Sequence, residues 1–125
     1  MYEFNNQKPI FKQLKEIIEK AILDDLVKPD EQIPSIRALA QDYNLNPLTV
    51  NNAISELFSD GVLYKKRGIG MYVTIDAKEK IRGAQLGDFS AGELVTTIQK
   101  AKSLGMKKEE VDLVTEKVYG GSNDK

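Results

Sequence analysis

Residues 34–73 change their apolar period from helical to alternating without a long gap, and that change restricts most of what this chain can fold into. Asn46 is a good helix N-cap, and Pro47 suits the first helical position, where its missing N–H is not needed. Val50, Ala53, Ile54, Leu57 and Phe58 then fall at spacings of three and four, forming one buried stripe. Asp60-Gly61 closes this helix, with glycine free to turn left-handed. Upstream, Ser35 is placed to cap a shorter helix whose inward residues are Ile36, Leu39, Ala40 and Tyr43, and Asn44-Leu45 makes the turn. Downstream, Val62, Leu63 and Tyr64 lead into one strand, and Met71 to Ile75 form the other. Between them Lys65-Lys66-Arg67-Gly68-Ile69-Gly70 forms a tight tip that its glycines permit. Two short helices followed by a hairpin predict a winged helix-turn-helix.

The faces left outside carry the chemistry. On the second helix they are Leu48, Thr49, Asn51, Asn52 and Ser55, which are small, mostly polar and uncharged. Asparagine can bond an adenine edge twice, and leucine or threonine methyls can meet a thymine methyl. A face meant only for water would more often carry Glu and Lys, although an ordinary polar face remains the competing reading. Arg37 lies off the inward stripe, in the first turn of the shorter helix, and so can point outward, where a lone arginine is usually just solvated. Between Gly61 and Tyr72 stand three cations and no anion. Such a tip suits a phosphate or a narrow groove, with plain solubilising charge as the alternative. Gly68 and Gly70 make a G-x-G too short to suggest a nucleotide loop.

Around this centre the chain reads simply. Residues 1–9 are polar and extended. Ile10, Leu14, Ile17, Ile18, Ala21 and Ile22 share one helical face, with Lys12, Lys15, Glu16, Glu19 and Lys20 opposite, and Pro29 ends the segment. Residues 27–33 read as a loop. After Asp76 the composition turns charged and helical, interrupted by Gly83, Gly87 and Gly92, so residues 77–103 fit either one weakened helix or two. Ser90 and Glu93 have capping-box spacing. Leu94, Ile98 and Ala101 mark one apolar face, and Val111, Val114 and Val118 another, with Leu104-Gly105-Met106 as a stop between them. Residues 119–125 read as a disordered tail. Two helices this short bury no core alone, so these six residues are expected to meet a second copy of the chain. The expected fold is mainly α with a small β-hairpin: a winged helix-turn-helix over residues 1–76 and a helical dimerisation arm over residues 77–125.

Composition excludes several classes. The chain of 125 residues contains neither Cys nor His. Disulfides, thiolate or imidazole metal sites and Cys/His or Ser/His catalysis are therefore not expected, and no enzyme activity or cofactor is read. No apolar run approaches a membrane span, and the first residues lack the basic-then-apolar order of a secretory signal, so a cytoplasmic location is expected. Net charge is −1, so any nucleic-acid binding must come from how the charge is distributed.

With these residues in view, residues 8–75 resemble the DNA-binding domain of GntR-family bacterial transcription regulators. The matching pieces are Pro9-Ile10-x-x-Gln13, Pro34-Ser35-x-Arg37-x-Leu39-Ala40, Asn46-Pro47-x-Thr49-Val50-x-x-Ala53, Leu57, Gly61 and Arg67-Gly68-x-Gly70-x-x-Val73. The short C-terminal helices are similar to those of the YtrA-like subfamily, whose members dimerise through them and often govern transporter operons. The resemblance implies that Arg37 reads a guanine edge, that Ser35 and Thr49 hold phosphates, and that Arg67 and Gly68 enter the minor groove. The expected DNA-binding set is then Ser35, Arg37, Asn46, Pro47, Leu48, Thr49, Asn51, Asn52, Lys65, Lys66, Arg67, Gly68 and Gly70. The expected partners are double-stranded DNA, a second copy, and an unidentified small-molecule effector; no membrane is expected. A homodimeric repressor on a palindromic operator is the leading reading, and a winged-helix protein-interaction module without DNA binding is the alternative. There are departures from the family pattern. Asn51 stands where many relatives carry arginine, and Asp25 and Asp30 stand where glycines are usual.

Overall fold

The computed structural model describes residues 3–122. Its elements in chain order are α1 (Ile10–Leu23), β1 (Gln32–Ile33), α2 (Ile36–Tyr43), α3 (Pro47–Ser59), β2 (Leu63–Lys66), β3 (Gly70–Val73), α4 (Ala77–Ala91), α5 (Glu93–Ser103) and α6 (Lys108–Ser122). Contacts divide the chain into two units, Met1–Ala84 and Gln85–Lys125.

The first unit is built around the stripes read above. Leu14, Ile18 and Ile22 of α1 face Leu39 and Ala40 of α2 and Val50, Ala53, Ile54 and Leu57 of α3 in a single buried cluster. Val62, Leu63, Met71 and Val73 close it from the sheet, and Ala77 and Ile81 at the start of α4 are fully buried in it. Gln13 is also buried. Its side-chain amide donates to the carbonyls of Asn5 and Lys8, both at 2.8 Å, and its oxygen accepts from the Asn5 N–H. That arrangement fastens the segment before α1 onto the helix.

The sheet has three strands, in the order β1-β3-β2, and all pairing is antiparallel. The expected loop over 27–33 therefore contains a short strand, with Gln32 opposite Tyr72 and Ile33 opposite Met71. Two residues carry no readable alternation; the burial of Ile33 and the backbone bonds from the Asp30 N–H to the Val73 carbonyl and from the Val73 N–H to the Glu31 carbonyl fix their register. The hairpin is tied at its base by the Thr74 hydroxyl, which donates to the Gly61 carbonyl at 2.8 Å.

α1 stops at Leu23, before the expected end at Pro29, because Asp25 turns left-handed at φ 64°. Asp30 does the same at φ 66°. Both positions keep a glycine-type backbone, which costs an L-residue energy that its side chain must offset. Asp25 pairs with Lys78 at 2.7 Å, and Asp30 accepts from the Tyr64 hydroxyl at 2.9 Å, contacts that glycine could not make.

Residues 77–103 form two helices that break at Gly92, not at Gly83 or Gly87. A Cβ at Gly92 would lie 3.0 Å from the Asp88 carbonyl. Ser90 does not cap α5 as its spacing suggested. Its hydroxyl donates to the Gly87 carbonyl, and the N-cap is Gly92, without a side-chain bond. α6 continues through Tyr119 to Ser122, where a tail was expected. Residues 123–125 of that expected tail lie outside the described residues. Within the second unit α5 and α6 touch each other, and no residue from 85 to 120 is buried.

Candidate nucleic-acid interface

α3 starts as the sequence requires. The Asn46 side chain accepts from the Leu48 N–H at 2.8 Å, and Pro47 occupies the first turn. With Val50, Ala53, Ile54 and Leu57 buried, the opposite side carries Leu48, 66% exposed, together with exposed Asn51, Asn52 and Ser55. Thr49 is half-buried at the edge of this face. The amides and the Leu48 side chain thus project from a helix whose other side is anchored in the core.

α2 brings up Ser35 and Arg37. The Ser35 oxygen accepts from the Ala38 N–H at 3.1 Å as an N-cap. This occupies a lone pair and leaves the hydroxyl proton available to a phosphate oxygen. Arg37 is exposed. Among the described residues no carboxylate pairs with Arg37, Lys65 or Arg67. A hollow of about 300 Å³ lined by Ser35, Arg37, Gln32, Ile69 and Gly70, among others, adjoins both the start of α2 and the wing.

The wing tip is tighter than the sequence suggested. Lys65 and Lys66 belong to β2, with Lys65 opposite Met71 and Lys66 opposite Gly70, so the turn itself is Arg67-Gly68-Ile69. Strand alternation sends the two lysines to opposite faces of the hairpin. Lys66 lies over the Tyr72 ring, 4.4 Å from its centroid, and Tyr72 stacks on Tyr64 at 5.7 Å. The hydrogen bond to Asp30 raises the Tyr64 hydroxyl above its ordinary pKa. Gly68 adopts φ 74° in open space, a conformation that favours glycine.

The acids of α3 are neutralised from behind. Glu56 meets Lys12 and Lys15, both at 3.1 Å, and Asp60 meets Lys15 at 2.8 Å. Hydrogen bonds from Lys12 and Lys15 hold the Glu56 carboxyl below its ordinary range. Burial pulls the Lys15 ammonium down, but its bonds to Asp60 and Glu56 outweigh that, and its pKa is raised. These pairs tie α1 to α3 and keep negative charge away from the amide face. Gln32 was not singled out in the sequence because it sits in what reads as loop. Its side-chain N–H donates to the Ile69 carbonyl at 3.2 Å, linking β1 to the wing tip.

Residues 11–73 match the family described as bacterial regulatory proteins, gntR family. The chain belongs to the GntR family. It is 36% identical over 70 residues to the HTH-type transcriptional repressor YtrA of Bacillus subtilis (strain 168), an overlap covering 56% of this chain and 54% of that protein. The chain therefore matches about half the length of that relative. A GntR family transcriptional regulator from Listeria monocytogenes is similar in structure, with a TM-score of 0.66 and 30% identity, covering 91% of this chain and 98% of that one. AraR(DBD) in complex with operator ORX1 is similar over 59% of this chain and 93% of its own, with a TM-score of 0.54 and 30% identity. The GntR family is one of regulatory proteins rather than enzymes, in line with the sequence reading. Among the described residues no helix is long and apolar enough to cross a membrane.

Proposed function

We propose that this GntR-family chain is a sequence-specific DNA-binding transcription regulator, acting as a homodimeric repressor on a palindromic operator. The observation that carries the reading is the exposed face of α3, with Leu48, Asn51 and Asn52 outward and the opposite side fixed in the core. α3 would lie in the major groove, with Asn51 and Asn52 toward base edges, Arg37 toward a guanine, and Ser35 and Thr49 on phosphates. Lys65, Lys66, Arg67 and Gly68 would approach the flanking minor groove. The similarity to a repressor and to a domain solved on an operator supports this assignment.

The dimer would form through Leu94, Ile98, Ala101, Val111, Val114 and Val118. Ile98 is 47% exposed and Val118 is 65% exposed, an apolar surface that a second copy would cover. Two-fold symmetry then requires a palindromic site. A transporter operon is the target class that the YtrA resemblance suggests. A hollow of about 450 Å³ between Ile98, Lys102, Met106, Lys108, Val111 and Asp112 supports a small-molecule effector beside the dimer contact.

The test is selection of bound sequences from a random duplex pool with the full chain, followed by mobility-shift titration at several salt concentrations. The expected result is an inverted repeat bound with strong salt dependence. Salt-independent binding, or no enrichment, would overturn the reading in favour of a protein-interaction module.

A further inference from the structure

The wing tip presents one apolar side chain, and its backbone is held from two sides. Ile69 is 64% exposed and stands between Gly68 and Gly70, so no other side chain projects between Arg67 and Met71. The Ile69 N–H donates to the Lys66 carbonyl at 2.9 Å, within the hairpin. Its carbonyl accepts from the Gln32 side chain at 3.2 Å, across the sheet. Gln32 belongs to β1, which pairs with β3 and not with β2, so the turn is tethered to the far strand as well as to its own hairpin. The approach is close enough that a Cβ at Gly70 would collide with the Gln32 amide nitrogen. Exposed Lys65, Lys66 and Arg67 surround this point with positive charge.

We propose that Ile69, aimed by the Gln32 tether, is a specificity-determining residue that selects A·T over G·C pairs in the minor groove flanking each half-site. The proposal rests on the regulator reading above and adds to it a contact, a positioning residue and a base preference. Cations at the tip would be drawn to the phosphates lining the groove whatever its sequence. The side chain that then meets the groove floor is the isoleucine. There, A·T and T·A pairs offer only ring-nitrogen and carbonyl acceptors, whereas G·C adds a protruding amino donor. Isoleucine has no acceptor for that amino group. It would cover the donor without bonding it, and a buried unpaired donor is costly. Gln32 is a positioning residue: without its N–H on the Ile69 carbonyl, the turn loses its hold on the far strand.

The test uses the full chain and a duplex recovered by selection from a random pool, remade with A·T, G·C or inosine·cytosine at the flanking pairs. Inosine lacks the amino group but otherwise presents the same edges as guanine. The readout is the ratio of affinities for the A·T and G·C duplexes, which does not depend on the fraction of protein folded. Wild type should favour A·T by about 5-fold or more, with inosine·cytosine behaving like A·T. Ile69→Ala and Ile69→Gln should bring the ratio near one while sequence discrimination within the half-site persists. Gln32→Glu, which cannot donate to a carbonyl, should lower the ratio, and Gln32→Lys, which can, should retain it. If no sequence is enriched, the regulator reading falls and this inference falls with it. If an operator is enriched but the wild-type ratio is near one, or Ile69→Gln leaves it unchanged, the inference alone is overturned. If Gln32→Glu leaves the ratio intact, the role of Gln32 is overturned.

Discussion

Residues up to Ala84 and residues from Gln85 onward solve the same problem in opposite ways. The first unit hides Leu14, Val50, Leu57, Val62 and Val73 completely and presents a polar amide face outward. The second hides no residue from 85 to 120 and leaves Leu94, Ile98, Val114 and Val118 accessible to water. A chain segment that buries its apolar stripe against itself can hold a rigid reading surface. One that leaves the stripe open gains its stability from whatever covers it.

The strongest way to break this contrast is to cut each stripe. Leu57→Ala should lower the unfolding free energy by about 2–5 kcal/mol in chemical denaturation, because Leu57 is fully buried. Ile98→Asp with Val114→Asp should leave the unfolding of the first unit unchanged and shift a dimer to monomer by analytical ultracentrifugation. If the double variant unfolded the first unit, or left the mass unchanged, the two regions would not differ as described. Arg37→Ala should cost about 1–3 kcal/mol in mobility-shift titration and relax preference at one guanine. Lys66→Ala should weaken all duplexes alike and reduce the slope of log affinity against log salt by about 0.9. The smallest effect concerns the clamp behind α3. The Glu56 carboxyl is depressed by Lys12 and Lys15, so its contribution is present above the ordinary carboxylate range and is lost as pH falls through the depressed value. Glu56→Gln should therefore flatten the acid limb of the stability–pH curve, measured as the denaturation midpoint.

The first unit was legible because its signals are local. Ser35 and Asn46 cap helices, Gly61 follows α3 at φ 77°, and the stripe from Val50 to Leu57 is buried, each where spacing and side-chain chemistry place it. What escaped was non-local. Gln32–Ile33 is too short to show a period and becomes a strand only because β3 lies beside it. The end of α1 depends on left-handed turns at Asp25 and Asp30, where glycine would have been the readable sign. Along residues 77–103 three glycines had equal claims to break the helix, and the path of the chain at Asp88 chose Gly92. Of the outward group read on α3, Leu48, Asn51, Asn52 and Ser55 are exposed and Thr49 is half-buried. The coupling of Gln32 to Ile69 was not legible, since it joins positions 32 and 69 across the sheet.

The carboxamide of Gln13 carries a practical warning for anyone trimming this protein. Starting the chain at Pro9 would remove Asn5 and Lys8, the two carbonyls that accept from it. Gln13 would then lose the three hydrogen bonds that it makes to the preceding segment, at a cost of about 1–3 kcal/mol. The segment from Asn5 to Lys8, unremarkable in composition, is a structural strap, and the melting temperature of a version without it should drop accordingly.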